Sequence, residues 1–250
     1  MRTDRHLERV DRSPNPRRPP NVNAWPFTIP AVAQLIAEGG LEIPAGVTFL
    51  VGENGSGKST LVEALAAVYP RAGFEGPFVD KTGPRGSDED SPLRYHLRAR
   101  THRQGSPAGF FLRAEMMHAY LAGIDAATTS QTSAWGDEPL QARSHGESFL
   151  TVLRQRFTDV GVYFMDEPEA ALSFSSCLGL VALLAQMADE GSQVIVATHS
   201  PLLMSLPGAT LLEIGDWGLR LLPSYDDADL VQSWRTFLQE PDLYLRHLLD

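Results

Sequence analysis

A chain of 250 residues can bury one full hydrophobic core, and 43% hydrophobic with 21% charged residues is typical of a globular protein. Its single cysteine, Cys177, excludes an internal disulfide, and we expect it to be a small core residue. The net charge of −10 excludes a surface that attracts nucleic acid everywhere. The sequence has no apolar stretch long enough to cross a bilayer, which predicts a soluble, cytoplasmic protein.

The first part of the chain predicts a strand, a helix, a second strand and a second helix, in that order. The first strand is half-exposed, the second is apolar enough to be buried, and a glycine-rich loop joins it to the second helix. These segments are 7–11, 31–37, 46–51 and 60–68. Residues 72–92, rich in glycine, proline and charge, predict a surface loop.

The middle of the chain predicts strands at 94–100 and 109–113, followed by a helical insert over 114–143. Between residues 91 and 113 the chain carries several arginines and no acid. Two interpretations stay open: this stretch faces phosphate, or it forms solvated strand faces balanced by acids elsewhere. The arginines are Arg94, Arg98, Arg100, Arg103 and Arg113.

The last part of the chain alternates helices and strands again. The predicted helices are 146–157 and 175–189, the strands are 161–165 and 193–198, a hairpin follows at 210–214 and 219–222, and residues 225–250 form a helical tail. This alternation predicts one α/β domain over residues 1–250, with a mostly parallel sheet flanked by helices and a small antiparallel β part.

Residues 52–59 complete the pattern G-x-x-x-x-G-K-[ST], which is typical of a phosphate-binding loop (P-loop). The glycines leave backbone N–H groups free to face phosphate oxygens, and the helix that follows adds its positive end. Lys58 can reach the β- and γ-phosphates, and the Ser59 hydroxyl can bind Mg²⁺. The predicted ligand is therefore a nucleotide with Mg²⁺, and the predicted nucleotide-binding residues are Gly52, Glu53, Asn54, Gly55, Ser56, Gly57, Lys58, Ser59 and Thr60.

Two further patterns end apolar strands. Asp166 and Glu167 end the strand at 161–165, where an aspartate can bind Mg²⁺ and a glutamate can deprotonate a water. Acids also commonly end strands at helix N-caps, but the P-loop favours the functional interpretation. His199 ends the next strand, one helix and one strand after Glu167, which suits a contact with the γ-phosphate or the attacking water.

Residues 144–148 open a predicted helix with the sequence Ser-His-Gly-Glu-Ser. One interpretation is a capping box, with Ser144 as the N-cap and Glu147 at position N3. The other is an anion site, because a helix N-terminus that begins with glycine can bind phosphate. The segment alone does not decide between them.

In their order along the chain, these patterns resemble the ATP-binding-cassette (ABC) class of ATPases: Walker A at 52–59, signature at 144–148, Walker B at 162–167, D-loop at 170–173 and switch histidine at 199. Ser144 and Gly146 match the L-S-G-G-Q signature, whereas Glu147 departs from it. The relaxed signature looks more like the stand-alone AAA/ABC-type ATPases, similar to the chromosome-maintenance, recombination and overcoming-lysogenization groups, than like membrane importers.

The resemblance implies an ATP-dependent homodimer with two shared sites. Lys58, Ser59 and Asp166 would hold MgATP, Glu167 would activate water and His199 would position the γ-phosphate. Ser144, Gly146 and Glu147 would complete the partner's site. The chain departs from the class in its glutamine loop, where Arg113 or Glu115 stands in for the glutamine, and in its D-loop, where Ser173 replaces an aspartate. Trp25 or Phe27 would stack on adenine, or else pack under the sheet.

Four functions are compatible with these residues. The first is an ATPase that works with nucleic acid or a partner protein, in repair or defence. The second is the ATP-binding subunit of an ABC membrane transporter, which the relaxed signature and the missing glutamine disfavour. The third, a small-molecule kinase, is disfavoured by Glu167 and His199. The fourth is a regulator whose ATPase gates a separate toxin or effector protein.

Overall fold

The computed structural model describes residues 5–16, 19–69, 92–102, 108–114, 149–151, 153–154, 159–246 and 248. The strands are β1 (Leu7–Arg12), β2 (Gly40–Glu42), β3 (Val47–Val51), β4 (Leu97–Thr101), β5 (Ala108–Arg113), β6 (Gly161–Asp166), β7 (Gln193–Thr198), β8 (Thr210–Gly215) and β9 (Gly218–Leu221). The helices with both ends in these ranges are α1 (Pro30–Ala37), α2 (Lys58–Val68), α3 (Phe174–Asp189), α4 (Pro201–Met204), α5 (Asp229–Gln239) and α6 (Asp242–Leu245).

The central sheet has the strand order β5-β6-β7-β3-β8-β9. Its strands pair in parallel, except that β9 returns antiparallel to β8 as the second strand of a hairpin. Every residue of β3, β6 and β7 is buried, as expected for strands covered by helices on both faces. The predicted fold class, a mostly parallel sheet flanked by helices with a small antiparallel part, is confirmed.

Two hydrophobic cores lie on opposite faces of this sheet, because successive residues of a strand point to opposite sides. Val194 and Val196 of β7 pack with α3 in one core. Ile195 and Ala197, between and after them, pack with α1 and α2 in the other. Cys177 of α3 is buried, as predicted.

The antiparallel part is a second sheet with the order β2-β1-β4. Gln193, the first residue of β7, joins it to the central sheet. The buried Gln193 amide donates to the carbonyls of Leu7 (2.9 Å) and Pro44 (2.6 Å) and accepts from the Leu7 N–H (2.9 Å). Because β7 also lies beside β3, this side chain fixes the small sheet relative to the strand that leads into the P-loop.

Two local predictions needed correction. Residues 94–96 were expected to begin a strand, but residues 92–96 form a 3₁₀ helix and the strand begins at Leu97, which pairs with Arg12. Proline suits the first position of such a turn, and the His96 ring lies 3.1 Å from the Pro92 carbonyl oxygen. The strand β2 was not predicted. It pairs with β1, and its first residue must be a glycine because a Cβ on Gly40 would lie 2.4 Å from the Val10 carbonyl oxygen.

Several predictions fall on residues outside the described ranges. The surface loop lies there up to residue 91, as does the helical insert apart from Ala114. Of the predicted helix at 146–157, residues 149–151 and 153–154 are described, and they are helical. The single-domain organisation remains a prediction. No helix within the described ranges has both the length and the apolar character needed to cross a membrane.

Candidate nucleotide site

The P-loop connects the end of β3 to the start of α2, as predicted for residues 52–59, and two of its glycines are required by close approaches. Gly52 has a φ of 150°, and a Cβ there would lie 2.4 Å from the Ile214 oxygen. Gly57 has a φ of 102°, and a Cβ there would lie 2.6 Å from the side chain of Ile29. A larger residue at either position would push the loop away from its neighbours, so the loop shape depends on these glycines.

Helix α2 begins at Lys58 with no side-chain cap and no acidic residue in its first turn, as far as the described residues show. The first N–H groups of a helix have no partner within the helix, and together with the helix dipole they favour an anion. The Lys58 side chain is buried, with 3% exposure, and its Nζ donates to the Glu53 carbonyl at 2.8 Å. Burial lowers the Lys58 pKa, while the charges of Glu167, Asp166, Glu169 and Glu53 raise it.

Asp166 is the last residue of β6, and its buried carboxylate faces α2. Burial raises its pKa, while the Ser59 side chain and the Arg113 charge lower it. Its Oδ1 has no hydrogen-bond partner in the described part of the chain. Ser59 and Asp166, the two predicted Mg²⁺ ligands, are therefore neighbours, and they leave a carboxylate oxygen for a cation.

Glu167 follows Asp166 in a conformation that non-glycine residues rarely adopt, with a φ of 46°. Its N–H donates to the Ala197 carbonyl at 2.9 Å, which ties the loop to the end of β7. This arrangement places Glu167 Oε1 3.6 Å from Nδ1 of His199. Strained backbone is typical of functional sites, and here it brings the two predicted catalytic residues together.

Glu169 is a site residue that the sequence analysis missed. Its buried Oε1 accepts from the Thr198 hydroxyl and, at 2.9 Å, from the His199 N–H. The same oxygen lies 3.6 Å from His199 Nδ1. Glu169 thus joins the loop after β6 to the loop after β7. The available signal was the second acid of Glu167-Pro168-Glu169 together with a hydroxyl residue at the end of the next strand.

The structure separates several alternatives that the sequence left open. Phe27 is buried, with its ring 4.7 Å from the His96 ring, so it packs rather than stacks on adenine. Trp25 is 52% exposed and remains the candidate for adenine. Ser173 caps α3 by accepting from the Ser176 N–H at 3.3 Å, a task that serine and aspartate share.

The arginines between residues 91 and 113 differ in where they lie and in what they contact. Arg100 pairs with Asp11 at 2.8 Å and Arg94 donates to the Tyr95 hydroxyl, as the solvated-face interpretation expects. Arg113 instead lies at the site, with Nε 3.9 Å from Asp166 Oδ2. Arg103, Glu115, Ser144, Gly146 and Glu147 lie outside the described residues, so the signature and the second stand-in for the glutamine remain predictions.

The residues present fit a magnesium–nucleotide ligand. No group of three or more His, Cys, Asp or Glu side chains within the described ranges could hold a metal ion alone. Mg²⁺ characteristically takes one or two protein ligands and completes its shell with phosphate and water oxygens. Ser59 and Asp166 supply that number beside the uncapped start of α2, and the unpartnered Asp166 Oδ1 is a free ligand atom.

Comparison with known proteins shows that the chain is similar to ATP-binding proteins of the ABC class. Residues 148–205, which include Asp166, Glu167, Glu169 and His199, match the family model described as "AAA domain, putative AbiEii toxin, Type IV TA system". The resemblance to ABC-class ATPases inferred from the motif order is confirmed by this match together with the curated relatives below.

Two curated relatives are ATP-binding proteins of transport systems. The chain is 27% identical to the ribose import ATP-binding protein RbsA of Jannaschia sp. (strain CCS1), over 69% of this chain and 36% of that protein. It is 28% identical to the manganese transport system ATP-binding protein MntB of Bacillus subtilis (strain 168), over 64% of this chain and 68% of that protein. The matched region therefore spans about a third of RbsA and two thirds of MntB.

Among solved structures, the chain is similar to an SMC head bound to the C-winged helix domain of ScpA. The TM-score is 0.44 and the identity 16%, over 73% of this chain and 92% of that chain. The SMC head domain from Thermotoga maritima gives a TM-score of 0.41 with 16% identity, over 74% and 92%.

Proposed function

We propose that this chain binds ATP at the P-loop and hydrolyses it. The observation that carries the proposal is the meeting of three loops: the P-loop after β3, the Glu167 loop after β6 and the His199 loop after β7. The carboxyl ends of parallel strands lie at one edge of a sheet, which is where open α/β sheets bind ligands. The loops bring buried acids, a buried lysine and an uncapped helix start to one place.

In the proposed reaction, a water oxygen attacks the γ-phosphorus, the bond between γ-phosphorus and the bridging oxygen breaks, and ADP leaves. Glu167 takes the proton of the water, a role for which a partly exposed carboxylate beside the buried acids is suited. His199, held by its own N–H on Glu169, orients the water or the γ-phosphate. Lys58 and the first N–H groups of α2 bind the phosphates.

Ser59 and Asp166 are the residues that would hold Mg²⁺. A bound Mg²⁺ neutralises phosphate charge and polarises the phosphoryl oxygens. The chain's own contribution is the placement of these two side chains: Ser59 lies in the first turn of α2, and Asp166 is fixed at the end of a strand buried on both faces. Both positions are rigid because they belong to packed elements rather than to a free loop.

We further propose that ATP joins two copies of the chain, each completing the other's site with Ser144, Gly146 and Glu147. An apolar surface beside the site supports a partner contact. Phe174 and Leu178, one turn apart at the start of α3, are 68% and 46% exposed and follow the Glu167–Leu172 loop directly. Exposed apolar side chains next to a ligand site are typical of a contact surface.

The process that the ATPase drives is proposed to involve nucleic acid or a partner protein, in repair or defence. The toxin–antitoxin wording of the matched family model supports a regulator that gates an effector. The alternative is the ATP-binding subunit of a membrane transporter, which the names of RbsA and MntB support. Stable co-purification with a membrane protein would favour the transporter subunit. Co-purification with a soluble effector or nucleic acid would favour an ATPase that works in repair or defence.

The test is the variant Glu167→Gln, measured for ATP hydrolysis, ATP binding and mass by light scattering. We expect hydrolysis to fall by roughly 10²- to 10⁴-fold, the usual contribution of a general base, while ATP still binds. With MgATP the mass should double, because the nucleotide that joins the two copies is no longer consumed.

The matched control is Glu190→Gln, which changes the same side chain at an exposed position at the far end of α3 and should leave hydrolysis unchanged. Unimpaired hydrolysis in Glu167→Gln would contradict the base assignment. A constant mass with ATP bound would contradict the homodimer and leave the ATPase intact.

A further inference from the structure

Arg113 is one of the two residues predicted to stand in for the glutamine of the ABC class, and its contacts in the structure suggest a role for it. It ends β5 and lies directly opposite Asp166 in the register of β5 with β6. Its guanidinium forms an ion pair with Glu63 of α2, one turn after Ser59. Arg113 therefore lies between the two elements that supply the proposed Mg²⁺ ligands.

The chemistry of the guanidinium restricts what Arg113 can do there. Arginine has five N–H donors and no acceptor, so it cannot bind a cation as a glutamine oxygen can. Its Nε is buried and has no hydrogen-bond partner within the described residues. Oδ2 of Asp166 lies 3.9 Å from this Nε, which is too far for a hydrogen bond. A buried donor with no partner is costly, and an anion in the site would satisfy it.

The charge balance of the site points the same way. Lys58 interacts electrostatically with four carboxylates, those of Asp166, Glu167, Glu169 and Glu53. Glu63 adds a fifth carboxylate beside Arg113. A nucleoside triphosphate brings more negative charge into this acidic surrounding than a diphosphate does. The additional phosphate therefore needs a cation that the α- and β-phosphates do not occupy.

We infer that Arg113 donates to the terminal phosphate of the bound nucleotide and so distinguishes ATP from ADP. This inference rests on the proposed function. In the absence of nucleotide the guanidinium pairs with Glu63, and on ATP binding its Nε turns to the phosphate. Arginine suits this task because its planar fork of donors matches phosphate oxygens.

The experiment measures the dissociation constants of fluorescent ATP and ADP analogues in EDTA, without metal and therefore without hydrolysis. The quantity of interest is the ratio of the ADP constant to the ATP constant. In Arg113→Gln we expect this ratio to fall by roughly tenfold, the loss of one hydrogen bond to a charged group, while ADP binds almost as before. Arg113→Lys keeps the charge but loses the planar fork of donors. Its ratio of the ADP constant to the ATP constant should lie between the ratios of the wild type and Arg113→Gln.

Two further variants separate this role from a structural one. Glu63→Gln removes the ion-pair partner and should keep the preference for ATP, because Arg113 remains. The double variant Arg113→Gln with Glu63→Gln removes both charges of the ion pair, and it reports the ratio if the single variant does not fold. It should show the same loss of preference.

An unchanged ratio in the Arg113→Gln proteins, or equal losses for ATP and ADP, would overturn the inference while the proposed function stands. Absence of nucleotide binding in the wild-type protein would overturn both.

Discussion

The three-stranded sheet and the carboxyl edge of the central sheet both carry many charged side chains, but they differ in how many buried polar atoms have a hydrogen-bond partner. On the small sheet Arg5 pairs with Glu42 at 2.8 Å, and both Arg9 and Arg100 pair with Asp11. At the carboxyl edge, buried polar atoms lack a hydrogen-bond partner among the described residues. These atoms are Ser56 Oγ, Arg113 Nε, Asp166 Oδ1, Glu169 Oε2 and His199 Nδ1.

This difference separates charged groups that pair within the fold from the groups proposed to bind the nucleotide. Exposed ion pairs contribute little, since water solvates both charges well. Buried atoms without partners cost stability, and they are retained where a substrate supplies the missing contact. One such atom, Thr48 Oγ1, lies inside the sheet and not at the carboxyl edge, and nothing in the structure explains it.

The largest effect should come from Glu169, whose one bonded oxygen holds the His199 loop. In Glu169→Ala the Thr198 hydroxyl and the His199 N–H lose their acceptor, and we expect the free energy of unfolding to fall by about 3 kcal/mol. Urea unfolding measures this loss. Glu169→Gln keeps an acceptor oxygen and should lose much less. Equal losses in the two variants would contradict the proposed contacts.

The next largest effect on stability should come from the link between the two sheets. Gln193→Leu leaves the Leu7 N–H and the Leu7 and Pro44 carbonyls without their partner, which should lower the free energy of unfolding by about 2 kcal/mol. The matched control is Gln186→Leu on the exposed face of α3, expected to change stability by less than about 0.5 kcal/mol. If both substitutions had the same effect, Gln193 would not join the sheets.

Asp166→Asn should stabilise the nucleotide-free protein, by about 1 kcal/mol at pH 7. Burial raises the pKa of Asp166, so the folded state binds its proton more tightly than the unfolded chain. The ionised carboxylate then costs stability, and this cost appears as the pH rises from the unfolded pKa through the raised folded pKa. Thermal unfolding at pH 7 and at acidic pH tests this: the gain should shrink on acidification. A variant less stable than the wild type at pH 7 would contradict it.

The smallest effect is expected at the small sheet. Arg100→Gln removes an exposed ion pair from Asp11, which keeps its bond to Arg9, so the free energy of unfolding should change by less than about 1 kcal/mol. Unfolding in low and high salt measures the pair, because salt screens exposed charges. A loss as large as that of Glu169→Ala would remove the contrast between the two regions.

Much of the fold could be predicted from patterns of neighbouring residues in the sequence. The apolar runs that became β3, β6 and β7 have the residues of strands buried on both faces, and the P-loop follows β3 as its spacing predicts. The start of β4 at Leu97 and the strand β2 could not be predicted, because pairing with β1 decides them.

Short motifs predicted the chemistry of the candidate site, namely a lysine, a serine, two acids at the end of a strand and a histidine, because phosphate binding needs those groups at that spacing. Which distant residues meet depends on how the strands pack. The strand register places Arg113 opposite Asp166. Glu169 accepts hydrogen bonds from the Thr198 hydroxyl and the His199 N–H. The N–H of Glu167, whose backbone is left-handed, donates to the Ala197 carbonyl. Such contacts join residues tens of positions apart, so they depend on how packed strands align and not on any local pattern.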